Sequence, residues 1–364
     1  MKFPGATAAQ STPPGLRKNN FDLLRFLAAG AVCLIHIFTV SQIPELHWLR
    51  EVLSPDVAIR VFFVISGFLV FMSFENSHSI RQYASNRVRR IYPAYLVVIL
   101  MCALGLAVVS TKPLSEYFGL QWLRYLAANL AFQNYLQPTL PGVFESNAIN
   151  IVNGALWTLK VEAMFYVAVP IIVLLFRRLT VHWMMASLYI LSVAYMLLFE
   201  TLADATARPV YSEIGRQLPG QLKYFLAGAF FFYYMDFFER HRSKFLIAVI
   251  PVLLLDLVYP LPALEPFALA TVVISLATFR HLGNFGKHGD FSYGIYIVHF
   301  PIIQLLLLSQ WPHAHPYTFL LTAIVATLCS GFSMWHLVEK RFLARSNHYV
   351  SQTALTGERR LAIS

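Results

Sequence analysis

One apolar stretch of this chain carries three side chains that could do ionic or proton chemistry. In NNFDLLRFLAAGAVCLIHIF, Asp22, Arg25 and His36 interrupt a run otherwise fit for a membrane core. From Arg25 to His36 is eleven residues, three helical turns plus about 20°, so both project from one face, about 16 Å apart along the axis. Asp22 lies one turn before Arg25 and can pair with it. An ionisable group in hydrocarbon costs at least about 2.5 kcal/mol, which makes each of these a candidate for function. His36 is the side chain on that face able to take a proton near neutral pH, and it suits a general base acting on a hydroxyl. The alternative is a histidine satisfied by a backbone carbonyl or a neighbouring helix.

Other candidates follow along the chain. Ser66, Gly67 and Phe68 sit in FFVISGFLVF, where small residues equally let membrane helices approach closely. Asp56 and Arg60, four apart, read as a local ion pair. In SIRQYASNRVRRIYP, Arg87 and Arg90 share a helical face; they are either a positive anchor or a clamp whose guanidinium forks fit phosphate oxygens. GALWTLKVEAMFYVAVP places Trp157, Lys160 and Glu162 at the start of an apolar run, with Trp157 and Tyr166 where interfacial aromatics belong. FSYGIYIVHF offers Tyr296 and His299 at i, i+3, while His336 is read as a packing residue. His313 and His315 lack a third ligand, so no metal site is expected. Cys33, Cys102 and Cys329 stand apart in apolar runs, against a disulfide framework or zinc cluster.

The elements that must position these residues are membrane helices. Of 364 residues 57% are hydrophobic and only 13% charged, about half the roughly 25% charged share of globular chains. The net charge of +10 then points to cytoplasmic loops and anionic lipid headgroups rather than nucleic acid. Ten runs approach the roughly 20 residues a spanning helix needs: 21–43, 56–75, 91–109, 156–176, 181–199, 218–238, 245–260, 265–280, 291–309 and 317–338. The fold class expected is an all-α polytopic bundle with both termini cytoplasmic. In that orientation nineteen Lys and Arg lie inside and five outside (Arg50, Lys112, Arg124, Arg208, Arg216), while Arg25, Arg60, Lys160 and Lys223 fall within apolar runs. The stretch 117–136 carries Gln121, Arg124, Asn129, Gln133 and Asn134, and a crossing there would turn Arg177 and Arg178 outward; it is expected to lie on or dip into the outer surface. Residues 1–20 and 343–364 read as polar cytoplasmic tails without a secretory signal. All chemistry is thereby left to a single membrane domain over 21–342.

Taken in order, FDLLRFLAA with Arg25 and His36, FFVISGFL, RVRRIYPAY, LWTLKVEAMFY, SYGIYIVHFP and the closing VEKRF resemble the acyltransferase-3 family of bacterial integral-membrane O-acyltransferases, in the form lacking a C-terminal esterase-like domain. The resemblance spans residues 19–342, with Thr158 where Ser is commoner. It implies a multi-pass protein of the bacterial inner membrane that moves an acyl group, usually acetyl, from cytoplasmic acyl-CoA to a sugar hydroxyl. The sugar belongs to a cell-envelope or exopolysaccharide glycan, in lipid-linked form. Acyl-CoA is donor substrate rather than a permanently bound cofactor; the implied partners are the glycan acceptor, membrane lipids and other polysaccharide-assembly proteins. Carried over by motif, Arg25, His36 and Glu162 are the catalytic candidates, and Arg87, Arg90, Ser66, Gly67 and Phe68 the donor-binding ones. Two mechanisms stay open, with His36 as general base or as transient acyl carrier. Two other readings stand beside this one: acylation of a small glycosylated metabolite, and a secondary transporter, whose inverted repeats and paired broken helices the sequence does not display.

Overall fold

The structure, a computed structural model, describes residues 19–278, 282, 285 and 289–343, and the secondary structure of these residues is helical without strands. Apart from Asn19, Asn20 and Leu343 the expected tails lie outside the described residues, as do Arg280 and Lys287. The principal helices are α1 (Phe21–Ser41), α2 (Pro55–Glu75), α3 (Ile80–Gly105), α4 (Leu120–Leu130), α5 (Trp157–Arg178), α6 (Val181–Thr206), α7 (Leu218–Tyr233), α8 (Met235–Asp256), α9 (Glu265–Thr278), α10 (Ser292–Leu306) and α11 (Pro316–Met334).

Among the described residues six helices are long and apolar enough to cross a membrane: α1, α2, α3 with its extension to Val109, α5, α6, and α11 with its extension to Phe342. The remaining four expected spans are helical but fall short for identifiable reasons. α7, α9 and α10 run 16, 14 and 15 residues, shorter than the roughly 20 of a typical spanning helix. α8 opens with MDFFERHRSK and kinks at His241. Large apolar side chains such as Met101, Val167, Ile171, Trp183, Ile190 and Leu254 are exposed, an exterior suited to lipid and costly in water. The protein is a multi-pass membrane protein.

As expected, 117–136 forms no spanning helix, whereas the third helix begins earlier than the apolar run 91–109. The segment 117–136 is broken at Phe118 and Gly119, leaving α4 with 11 residues, about 16 Å of helix and too short to span. Arg81 to Arg90 lie on α3 itself, because Pro93 is tolerated inside the helix rather than ending it.

The chain divides into two compact units, one of residues 1–25, 56–83 and 158–283, the other of 26–55, 84–157 and 284–364. In the first, α2 and α7 meet backbone to backbone: a Cβ on Gly67 would stand 2.1 Å from the carbonyl oxygen of Phe225, and one on Gly228 2.1 Å from that of Val64. Only glycine permits that approach. Pro170 has no N–H for the carbonyl of Tyr166, and Tyr83 Oη donates to it instead at 3.0 Å. In the second unit, α10 and α11 touch at Gly294 and Gly331. There Pro301 orphans the carbonyl of Ile297, and Asn153 Nδ2 donates to it at 2.8 Å. Each carbonyl that a proline leaves without its helical partner is thus held by a side chain from elsewhere in its own unit. Burial pushes the Tyr117 hydroxyl up to about 12, so it donates as a neutral phenol to the Ala103 carbonyl at 2.9 Å.

Candidate active site

The second unit joins the two membrane histidines. Nδ1 of His36 on α1 lies 2.7 Å from Nε2 of His299 on α10. The ring centroids are 5.0 Å apart with only 14° between planes. That separation leaves about one ring radius beyond each nitrogen, so the rings lie edge to edge in a nearly common plane and share an N–H···N hydrogen bond. His299 is fully buried whereas His36 is only partly so. Nδ1 of His299 faces the Ile295 carbonyl at 3.2 Å. Phe300 meets the His36 ring edge-on at 5.5 Å, and Tyr296 meets His299 at 5.9 Å.

α10 is fastened along its length. Tyr296 Oη donates to the Ala155 carbonyl at 3.3 Å. Gln304 Nε2 donates to the carbonyls of Ile149 and Ile151, and Asn147 Nδ2 donates to both oxygens of Gln304. A Cβ on Gly154 would meet the Phe300 ring at 2.8 Å. At the other end Tyr293 Oη donates to the Ile91 carbonyl at 2.8 Å, and Arg90 donates from its guanidinium to Asp290. Asp290, 1% exposed, also accepts from the backbone and hydroxyl of Ser292. Arg90 therefore forms a partly buried ion pair with the buried Asp290 that holds the entrance to α10. Arg87, one turn earlier, is half-buried. Glu339, the acid of VEKRF, is 2% exposed on the π-turn Trp335–Glu339.

The first unit gathers a different set. Ser66 Oγ and Tyr166 Oη both donate to Oε1 of Glu162, at 3.1 and 2.6 Å. Gly67 faces Phe225, and Phe68 is fully buried with its ring against Phe21 and Phe232. Asp22 and Arg25 pair at 3.2 Å. Lys160 is half-buried, as is Trp157 of the second unit. The pairing expected for Arg60 is corrected. Asp56 is exposed at the start of α2, and Arg60 reaches Glu265 at 3.4 Å instead. Glu265 also accepts from Tyr224 Oη at 2.6 Å, and the buried Lys223 donates to the Pro262 carbonyl at 3.2 Å.

Asp290, Asn153, Gln304 and Glu265 were not singled out in the sequence. Asp290 had a local signal, an Asx turn two residues ahead of a helix; the others act through partners 41 to 205 residues away. Among the described residues no three His, Cys, Asp or Glu side chains come together to hold a metal.

The spanning helix α1 and the shorter apolar helix α10 thus bring two imidazoles together inside a membrane protein, an arrangement able to move a proton. The profile of the family described as an acyltransferase domain matches residues 18–336, and the chain belongs to this acyltransferase-3 family. It is an acyltransferase. It is 26% identical over 350 residues to a protein named O-acetyl transferase from Shigella phage Sf6, covering 92% of this chain and 99% of the relative. It is also 26% identical over 355 residues to Nodulation protein 10 of Rhizobium leguminosarum bv. viciae, covering 89% and 92%. To Acyltransferase MdmB of Streptomyces mycarofaciens it is 29% identical over 175 residues, 47% of this chain and 43% of that one. No solved structure matches the chain significantly.

Proposed function

We propose that this enzyme moves an acetyl group from acyl-CoA at the cytoplasmic face to a sugar hydroxyl of a lipid-linked cell-envelope or exopolysaccharide glycan. The name of the phage relative supports acetyl and an oxygen acceptor; the family resemblance supports the donor and the sugar. The observation that carries the chemistry is His36, a partly exposed imidazole in a membrane helix, oriented by a second, fully buried one. His36 takes the proton of the acceptor hydroxyl as its oxygen attacks the thioester carbonyl. The carbon–oxygen bond forms, the carbon–sulfur bond breaks, and the proton leaves with coenzyme A as its thiol. Arg87 is assigned to the donor's phosphates, and Arg90 to holding Asp290. Arg25 and Glu162 retain the catalytic candidacy that the family motif implies.

In this reading all ten apolar segments cross the bacterial inner membrane, both termini are cytoplasmic, and residues 21–342 act as one domain. Purified protein, labelled acetyl-CoA and a membrane glycan fraction test it: label is expected in the glycan as an alkali-labile ester. Label that crosses a vesicle membrane without covalent transfer would identify a transporter instead. Labelling of a cysteine at position 85 by an impermeant outside reagent would reject the orientation.

A further inference from the structure

The histidine pair specifies which nitrogen reacts. The Ile295 carbonyl can only accept, so Nδ1 of His299, 3.2 Å from it, carries a hydrogen. With both rings neutral, Nε2 of His299 is then bare. The hydrogen in the 2.7 Å contact must come from Nδ1 of His36. Nε2 of His36 is left as a lone pair, on the ring that is only partly buried. Resting on the reading of His36 as the base, we infer that His299 is a positioning residue: it holds His36 in the Nδ1–H tautomer and makes Nε2 the atom that takes the hydroxyl proton. When Nε2 is protonated, the Nδ1–H···N bond to His299 persists and spreads the new charge. His299 thus does for His36 what a carboxylate does for the histidine of a hydrolase triad, without placing a second charge in the membrane. The fastening of α10 by Asn153, Tyr296 and Gln304 fixes His299 in that register.

Substitutions at His299 separate a hydrogen-bond role from a packing role. Gln keeps an acceptor at the reach of Nε2, whereas Asn and Ala do not. His299→Ala and His299→Asn are expected to lower kcat by about ten-fold or more with KM for acetyl-CoA unchanged, and His299→Gln to recover most of the rate. Equal losses in all three variants would mean packing alone and overturn the inference. Wild-type rates in all three, with His36→Ala inactive, would overturn it while leaving His36 as the base. An active His36→Ala would remove the underlying reading itself. Nitrogen NMR of the wild-type protein with labelled histidine supplies a readout independent of variant folding. The resonance missing from His36→Gln is expected to show a bare Nε2 and a protonated Nδ1; the reverse tautomer would contradict the assignment.

Discussion

Two groups of polar side chains lie in apolar helices, and they are finished differently. Around Glu265 each group ends on a protein partner: Tyr224 and Arg60 on its carboxylate, Lys223 on the Pro262 carbonyl, with the Arg60 guanidinium over the Tyr224 ring. The His36–His299 pair is anchored at one end only, on the Ile295 carbonyl, and its other end is a partly exposed imidazole. A closed network of charges specifies packing, because each member is costly to leave alone. An open-ended chain of hydrogen bonds retains an atom for a substrate. The difference between these two groups lies in that open end, where an atom remains for a substrate.

The contrast predicts that closed groups govern stability and the open pair governs turnover. The largest loss of stability is expected for Arg90→Ala or Asp290→Ala, which strand a charge at the entrance to α10: about 3–5 kcal/mol. Thermal unfolding in detergent measures it, and the double variant should lose much less than the sum. An unchanged melting point together with a raised acetyl-CoA KM would return Arg90 to the donor site. Glu265→Ala is expected to cost less, about 1.5–3 kcal/mol, since the Arg60 side chain is partly exposed; turnover per folded molecule should not change. Gly67→Ala drives a methyl into the Phe225 carbonyl and should cost about 1–3 kcal/mol, read in the same melt. The smallest effect is expected for Asn153→Ala, about 1 kcal/mol for the orphaned Ile297 carbonyl; a change well above this would mean that the loop 147–155 does more than satisfy the kink.

Much of this was legible in the sequence where the signal was local. His36 stood out because an ionisable side chain inside an apolar run is conspicuous. Gly67 was open to a packing reading for the same reason, a small residue in a membrane helix. What stayed hidden was pairing. His299 was visible as a candidate, but its contact with His36 spans 263 residues, and Arg90 meets Asp290 across 200. Residue type at Arg60 pointed to the neighbour four positions away, while packing turned it toward Glu265. Span count also exceeded local signal: α7, α9 and α10 are apolar, but where their helices end depends on the loops and proline turns around them.

The central claim is that Nε2 of His36 does the proton chemistry of acyl transfer. His36→Gln keeps much of the size of the side chain and an amide at the reach of Nε2 but cannot titrate, so it isolates that claim. Acetyl transfer from labelled acetyl-CoA should be measured with purified, correctly inserted protein whose affinity for the donor is determined in parallel. The account predicts a rate at least about a hundred-fold below wild type with donor affinity intact. Transfer by His36→Gln at the wild-type rate would contradict it.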